Sequence, residues 1–325
     1  MIGLALPRHA VLAVHCLFTF LVILGLSTAA FAAVWSSGRP PECSLAGTHT
    51  ESGVYNVWER AKSPQLRRYC DLVAGATSKL AGSTVMVRAA LDLAREAETV
   101  VPGHAAPKVL EGRALAALGQ KDAALDALRE GKARDPGVLD DPTTLLAWAR
   151  AVAHGGHLDE AVDAYRALLP RAASLSAVDR IAATVEAGLV ALALGPAALD
   201  DAIGALREAA RDAQDDAEGV AVLALALALD RRGDADEARS LLASRGHGDP
   251  RNFFEGARGK DLAATAPWEV PAIVAFALET TDAVGAHDAW EQYLQANPTG
   301  PWAAQVRARL SAPNARRPIA HRKGP

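Results

Sequence analysis

Apolar residues between Pro107 and Pro136 recur at intervals of three and four: Leu110, Ala114, Leu115 and Leu118, then Ala124, Leu125 and Leu128. That period puts each set on one face of a helix, so the stretch predicts two short helices folded back on each other. Between them lies the polar turn Gly119-Gln120-Lys121-Asp122. Gly119 supplies the turn, and Pro136 lacks the backbone donor that would continue the second helix. A hairpin this small cannot cover its own apolar face, so it needs neighbours.

The rest of the chain supplies them. Ala124 stands twelve residues after Gly112 and twelve before Pro136, and Ala90 has the same place between Ser78 and Pro102, an offset of 34 residues. Ala238 lies likewise between Ala226 and Pro250, and Ala286 between Val274 and Pro298. Ala161 follows Ala149 by twelve but its unit closes near Pro170; Ala202 follows Gly188 by fourteen, which predicts a two-residue insertion in that turn. A small residue suits a point where two antiparallel helices cross. Four positions on, Leu128, Tyr165, Leu206, Leu242 and Trp290 are expected to fill the space between units. Gly119, Gly155-Gly156, Gly195-Pro196, Gly233 and Gly285 fall where turns are needed.

With this period and its closing prolines, the chain from about Ser63 to Ala312 resembles the tetratricopeptide repeat (TPR) family. The resemblance implies an all-α, right-handed solenoid of about six antiparallel helix hairpins and a closing helix, spanning residues 63–312. Units 71–102, 105–136 and 219–250 match best, and 177–214 departs most. Trp and Tyr are missing at most family positions, which leaves open a related helical-hairpin solenoid. The stretch from Ala286 to Leu310 resembles the last repeats of bacterial envelope proteins of this family. Trp290, Tyr293, Leu294, Pro298 and Trp302 would lock the final hairpin to a capping helix begun at Pro301. The loop 246–266 is expected to carry a short helix that packs Phe253 and Phe254 on the array.

Composition narrows the classes. Half the residues are hydrophobic but only 5% are aromatic, which suits closely packed helices better than a β-sandwich. A net charge of −4 gives no global attraction to nucleic acid. Ahead of the array, Arg8 precedes an apolar run from Ala10 to Trp35. The run ends in Ser27-Thr28-Ala29-Ala30-Phe31-Ala32, the small-residue pattern of a signal-peptidase site. Residues 1–32 therefore read as a signal peptide or a membrane anchor. Either reading exports the body to the periplasm or cell envelope, with 33–62 as linker. Cys43 and Cys70 could pair in such an oxidising compartment; the alternative is a buried Cys70 and a free thiol at Cys43. The tail 313–325, with Arg316, Arg317, Arg322 and Lys323, is expected to be disordered.

Stacked repeats place equivalent residues in a ladder. The resemblance puts Lys79, Arg113 and Arg150 on the groove face of the first three units, followed by Leu189, Leu227 and Ala275, with His154 and Arg231 four positions beyond. Such cations would hold a carboxylate-bearing peptide or an anionic glycan. His154-Gly155-Gly156-His157, near Asp159 and Glu160, lacks a third ligand at a defined spacing, so no metal is expected. No cofactor and no catalytic grouping is expected either. The sequence thus reads as a non-catalytic scaffold that binds another protein, nucleic acid being excluded and membrane met only through an uncleaved N-terminal segment. The alternative is a helical-solenoid enzyme acting on cell-envelope polymer.

Overall fold

The structure is a computed structural model that describes residues 40, 42–43, 64–244 and 248–311. The N-terminal apolar run with its cleavage motif, nearly all of the 33–62 linker and the tail 313–325 lie outside the described residues. Among the described residues every regular element is helical: fifteen α-helices and four short 3-10 turns. The chain divides into two compact units, residues 1–144 and 145–325.

In the first unit, α1 (Pro64–Lys79) pairs with α2 (Thr84–Val100), and α3 (Ala105–Ala117) with α4 (Lys121–Arg134). Gly119 adopts φ +77°, and the Gln120 N–H reaches back to the Leu115 carbonyl at 2.9 Å, which stops α3 and reverses the chain. A Cβ on Gly112 would stand 2.6 Å from Leu128 Cγ. The small residue therefore marks the crossing, as expected. Leu128, however, fills the crossing within its own hairpin rather than the space between units.

Apolar faces are shared in sequence. Tyr69, Val73 and Ala76 of α1 meet Ala94 and Ala97 of α2 and Ala106 and Leu110 of α3. On the other side, Val87 and Leu91 of α2 meet Ala114 and Leu115 of α3 and Ala124 and Ala127 of α4. Each helix thus lends one face to the neighbour that follows, the packing logic of a repeat array.

The second unit takes up most of α5 (Pro142–His154) and continues through α6 (Leu158–Leu168), α7 (Ala177–Leu194), α8 (Leu199–Asp212), α9 (Asp215–Arg232) and α10 (Ala235–Ala243). Two short helices follow, α11 (Asn252–Glu255) and α12 (Ala257–Ala263), then α13 (Val270–Leu278), α14 (Ala283–Ala296) and α15 (Ala303–Ser311). The 3-10 turn Pro196–Ala198 takes up the extra residues between Gly188 and Ala202. Leu206 again sits against the small residue of its own hairpin: a Cβ on Gly188 would lie 2.4 Å from Leu206 Cγ. Within the expected loop, α11 and α12 are helical, Phe253 packs on Gly219 and Phe254 is buried, so this part of the segment lies on the array.

Two boundaries differ from the sequence reading. Gly285 is not the turn but lies in the first turn of α14, its N–H donating to the Asp282 carboxylate at 2.9 Å. The capping helix starts at Ala303, with Pro301 packed against Gly195.

Candidate partner-binding surface

Of the five cations assigned to the groove, Arg113 and His154 both have contacts within the protein, and Arg150 and Arg231 are built into networks of their own. Arg150, in α5, donates its Nε to both carboxylate oxygens of Glu186 in α7, at 3.1 and 2.8 Å. The Tyr165 hydroxyl of α6 donates to the same carboxylate at 3.0 Å. Glu186 is buried, and that burial raises its carboxyl above the ordinary value against the pull of Arg150. Burial alone would lower the guanidinium; the Glu186 charge and hydrogen bonds outweigh it and keep Arg150 firmly charged.

Arg231 corrects the groove assignment outright. Its side chain is 1% exposed and donates to Glu269, itself fully enclosed, at 2.7 Å. The guanidinium lies 4.6 Å from the Trp302 ring and 5.8 Å from Tyr293, whose hydroxyl points at the other Glu269 oxygen at 3.5 Å. Arg231 is unavailable to a partner because the closing segment covers it.

The two networks share one plan. An Arg on the first helix of a hairpin reaches a Glu of the next hairpin 36 or 38 positions on, and a Tyr on a second helix donates to that Glu. Sequence reasoning missed both carboxylates. The available signal was a single acid inside an apolar run: Glu186 in Ile181–Leu194 and Glu269 in Ala266–Val274. Each pair spans two consecutive hairpins, so a slip of register there would part a buried charge from its partner.

His154 ends α5 and His157 precedes α6, both engaged in contacts. Among the described residues, metal-type ligand atoms converge instead at His287, Asp288 and Glu291, within 4.8 Å of one another on the partly exposed face of α14. Close by, α9, α10, α13, α14 and α15 enclose a cleft of about 490 Å³. Arg309 crosses it over the Phe276 and Trp290 rings, each 5.4 Å away, and pairs with Asp230 and Glu279.

In the first unit, Lys79 and Arg113 are partly exposed, on α1 and α3. Cys43 and Cys70 are joined as a disulfide, which fastens a short N-terminal piece to α1. Glu42, next to that bridge, accepts a 2.6 Å hydrogen bond from the Tyr69 hydroxyl and lies 3.5 Å from His104 Nδ1. Arg134 places His104 by donating to its carbonyl at 2.7 Å while pairing with Glu98 and Glu130. Sequence reasoning passed over Glu42, Tyr69 and His104, since nothing in the helical period brings residue 42 beside residue 104.

These elements are paired helices in TPR-like hairpins within each unit. No family model matches the chain, and no curated protein matches it. Among solved structures it is similar to TTC0263, a thermophilic TPR protein of Thermus thermophilus, at 19% identity and TM-score 0.34, over 65% of this chain and 98% of that one. It is similar to the Cut9-Hcn1 hetero-tetramer of the APC/C at 12% and 0.35, over 80% and 57%. The flexible tandem repeat domain of a bacterial cellulose synthase gives 19% and 0.24, over 78% and 98%. At these scores the likeness adds nothing to the hairpin geometry, which itself carries the fold.

Proposed function

We propose that this chain is a non-catalytic scaffold, exported to the bacterial cell envelope, that holds another protein against a preformed helical surface. The observation that carries the binding role is the pair of inlaid networks, Arg150–Glu186–Tyr165 and Arg231–Glu269–Tyr293. They fix successive hairpins of the second unit before any partner arrives, so association would order mainly the partner and lose less entropy. The envelope location is supported by the N-terminal apolar run and by a cysteine pair suited to an oxidising compartment. The carboxylates lining the cleft, Asp230 and Glu279, are both paired with Arg309, an arrangement that neutralises rather than frees an acid for catalysis.

Crosslinking in cells followed by mass spectrometry of the native chain tests this. The expected outcome is a mature protein in the envelope fraction with a reproducible protein neighbour. Recovery from the cytoplasm with residues 1–32 attached, or degradation of wall polymer by the purified chain, would overturn it.

A further inference from the structure

We propose that Tyr69 and His104 form a seat for a partner's carboxylate, occupied in the oxidised chain by Glu42 and vacated when the Cys43–Cys70 bridge is reduced. This rests on the reading of the array as a peptide-binding scaffold. The ligand class is an extended segment presenting Asp or Glu beside a small apolar side chain, the combination that Glu42 and Cys43 themselves present.

The seat is built rather than incidental. Tyr69 is fully buried beneath the clip, within the cluster of Val73, Ala76, Ala94, Ala97, Ala106 and Leu110, so its ring position is set by packing. Its ring lies 5.2 Å from the His104 ring. Arg134 fixes His104 from behind through the backbone carbonyl, and its own charge is met by Glu98 and Glu130. Two polar side chains are thus aimed at one oxygen, Glu42 Oε1. A disulfide that served only as a brace would need none of this apparatus, because the covalent bond alone holds the clip.

The bridge also explains how the seat is kept closed. A covalently tethered ligand occupies its site at an effective concentration that a free one cannot match. Reduction cleaves the Sγ–Sγ bond: a dithiol donor supplies two electrons and two protons, leaving Cys43 and Cys70 as thiols and itself a disulfide. Glu42 then keeps its two polar contacts and the packing of Cys43 on the Tyr69 cluster, but no longer the covalent tether, so a competing carboxylate can exchange for it.

The test uses the full chain in two forms, E42Q with the bridge intact and E42Q/C43S. The probe is a labelled synthetic peptide of Arg39–Leu45 with its thiol methylated, read by fluorescence anisotropy. Binding to E42Q/C43S at least tenfold tighter than to bridged E42Q is expected, and replacing the peptide's Glu by Gln should cost about tenfold. Equal binding to both forms, binding to neither, or indifference to that Glu would overturn the proposal. Circular dichroism accompanies the series: if E42Q/C43S loses its helices, the clip is a folding brace and the seat falls. Wild-type protein under dithiothreitol gives a second reading, with faster hydrogen exchange expected in α1 and around His104 and none in the second unit. Since all of this uses purified protein, a wrong envelope assignment would leave it untouched, and a failed peptide would leave the scaffold reading standing.

Discussion

Trp302 donates its indole N–H to the backbone carbonyl of Leu192 at 2.8 Å, joining segments 110 positions apart. The same ring lies against the buried Arg231 guanidinium. One side chain therefore satisfies a carbonyl in the buried last turn of α7, shields an enclosed charge and anchors the approach to the closing helix. Trp302→Ala should destabilise the second unit by about 3–5 kcal/mol, the range for truncating a buried tryptophan. Trp302→Phe keeps most of the ring but strands the Leu192 carbonyl, at about 1–3 kcal/mol. Urea unfolding of the two variants checks the difference; since both lose the indole N–H, near-equal costs would mean that the hydrogen bond outweighs the packing.

Two glycines of one hairpin should respond in opposite senses. A Cβ on Gly188 would stand 2.4 Å from Leu206 Cγ, where the hairpin crosses, whereas one on Gly204 would meet nothing within 4 Å. Gly188→Ala overpacks the crossing and should cost about 1–3 kcal/mol. Gly204→Ala should stabilise by about 0.5–1 kcal/mol, since Ala loses less backbone entropy in a helix. Thermal denaturation of the pair is the measurement; a stabilising G188A would mean the crossing is looser than the geometry says.

The hairpins were legible because their cause is local. The small residue recurring at Gly112, Ala149 and Gly188, with a partner about twelve positions on, records the closest approach of two helices, and Gly119 and Gly233 record left-handed turns that other residues resist. What was not legible is what crosses between hairpins. Periodicity marks a buried face but does not tell which polar group it carries, so Glu186 and Glu269 were absorbed into apolar runs. Arg231 was misplaced for the same reason: its position on α9 is the expected one, but Trp302, far along the chain, closes over it. Lys79 and Arg113 are partly exposed, and Arg113 has a contact within the protein.

Alkaline titration should expose the inlaid phenols. Tyr69, Tyr165 and Tyr293 are all pushed above the ordinary tyrosine value of 10, first by burial and then by the neighbouring Glu42, Glu186 and Glu269 respectively, with Arg134, Arg150 and Arg231 pulling the other way. In the unfolded chain each returns to an ordinary value. The stability they contribute is therefore fully present below about pH 10 and declines as pH rises above it, because only the unfolded state releases the protons. Absorbance at 295 nm should show three of the four tyrosines silent until the helices melt, then ionising together, and all four titrating near 10 in urea. Three or more ionising near pH 10 with the circular dichroism intact would contradict the enclosure of these hydroxyls.

The two ion pairs differ in burial, and burial should decide what breaking each one costs. Arg150 keeps 33% of its side chain exposed, so Glu186→Ala leaves a guanidinium that water can reach, and the main loss is the Tyr165 hydroxyl's acceptor. That should cost about 1–3 kcal/mol. Arg231 is 1% exposed, and its Nη2 already lacks a hydrogen-bond partner. Glu269→Ala would leave a nearly dry, uncompensated cation, at about 3–5 kcal/mol. Replacing both members, Arg231→Met with Glu269→Leu, removes the charge together with its partner and should recover most of that loss. Urea midpoints for the three variants read the comparison directly. Equal costs for E186A and E269A, or a double variant as unstable as E269A, would show that the Arg231–Glu269 pair acts through shape rather than charge.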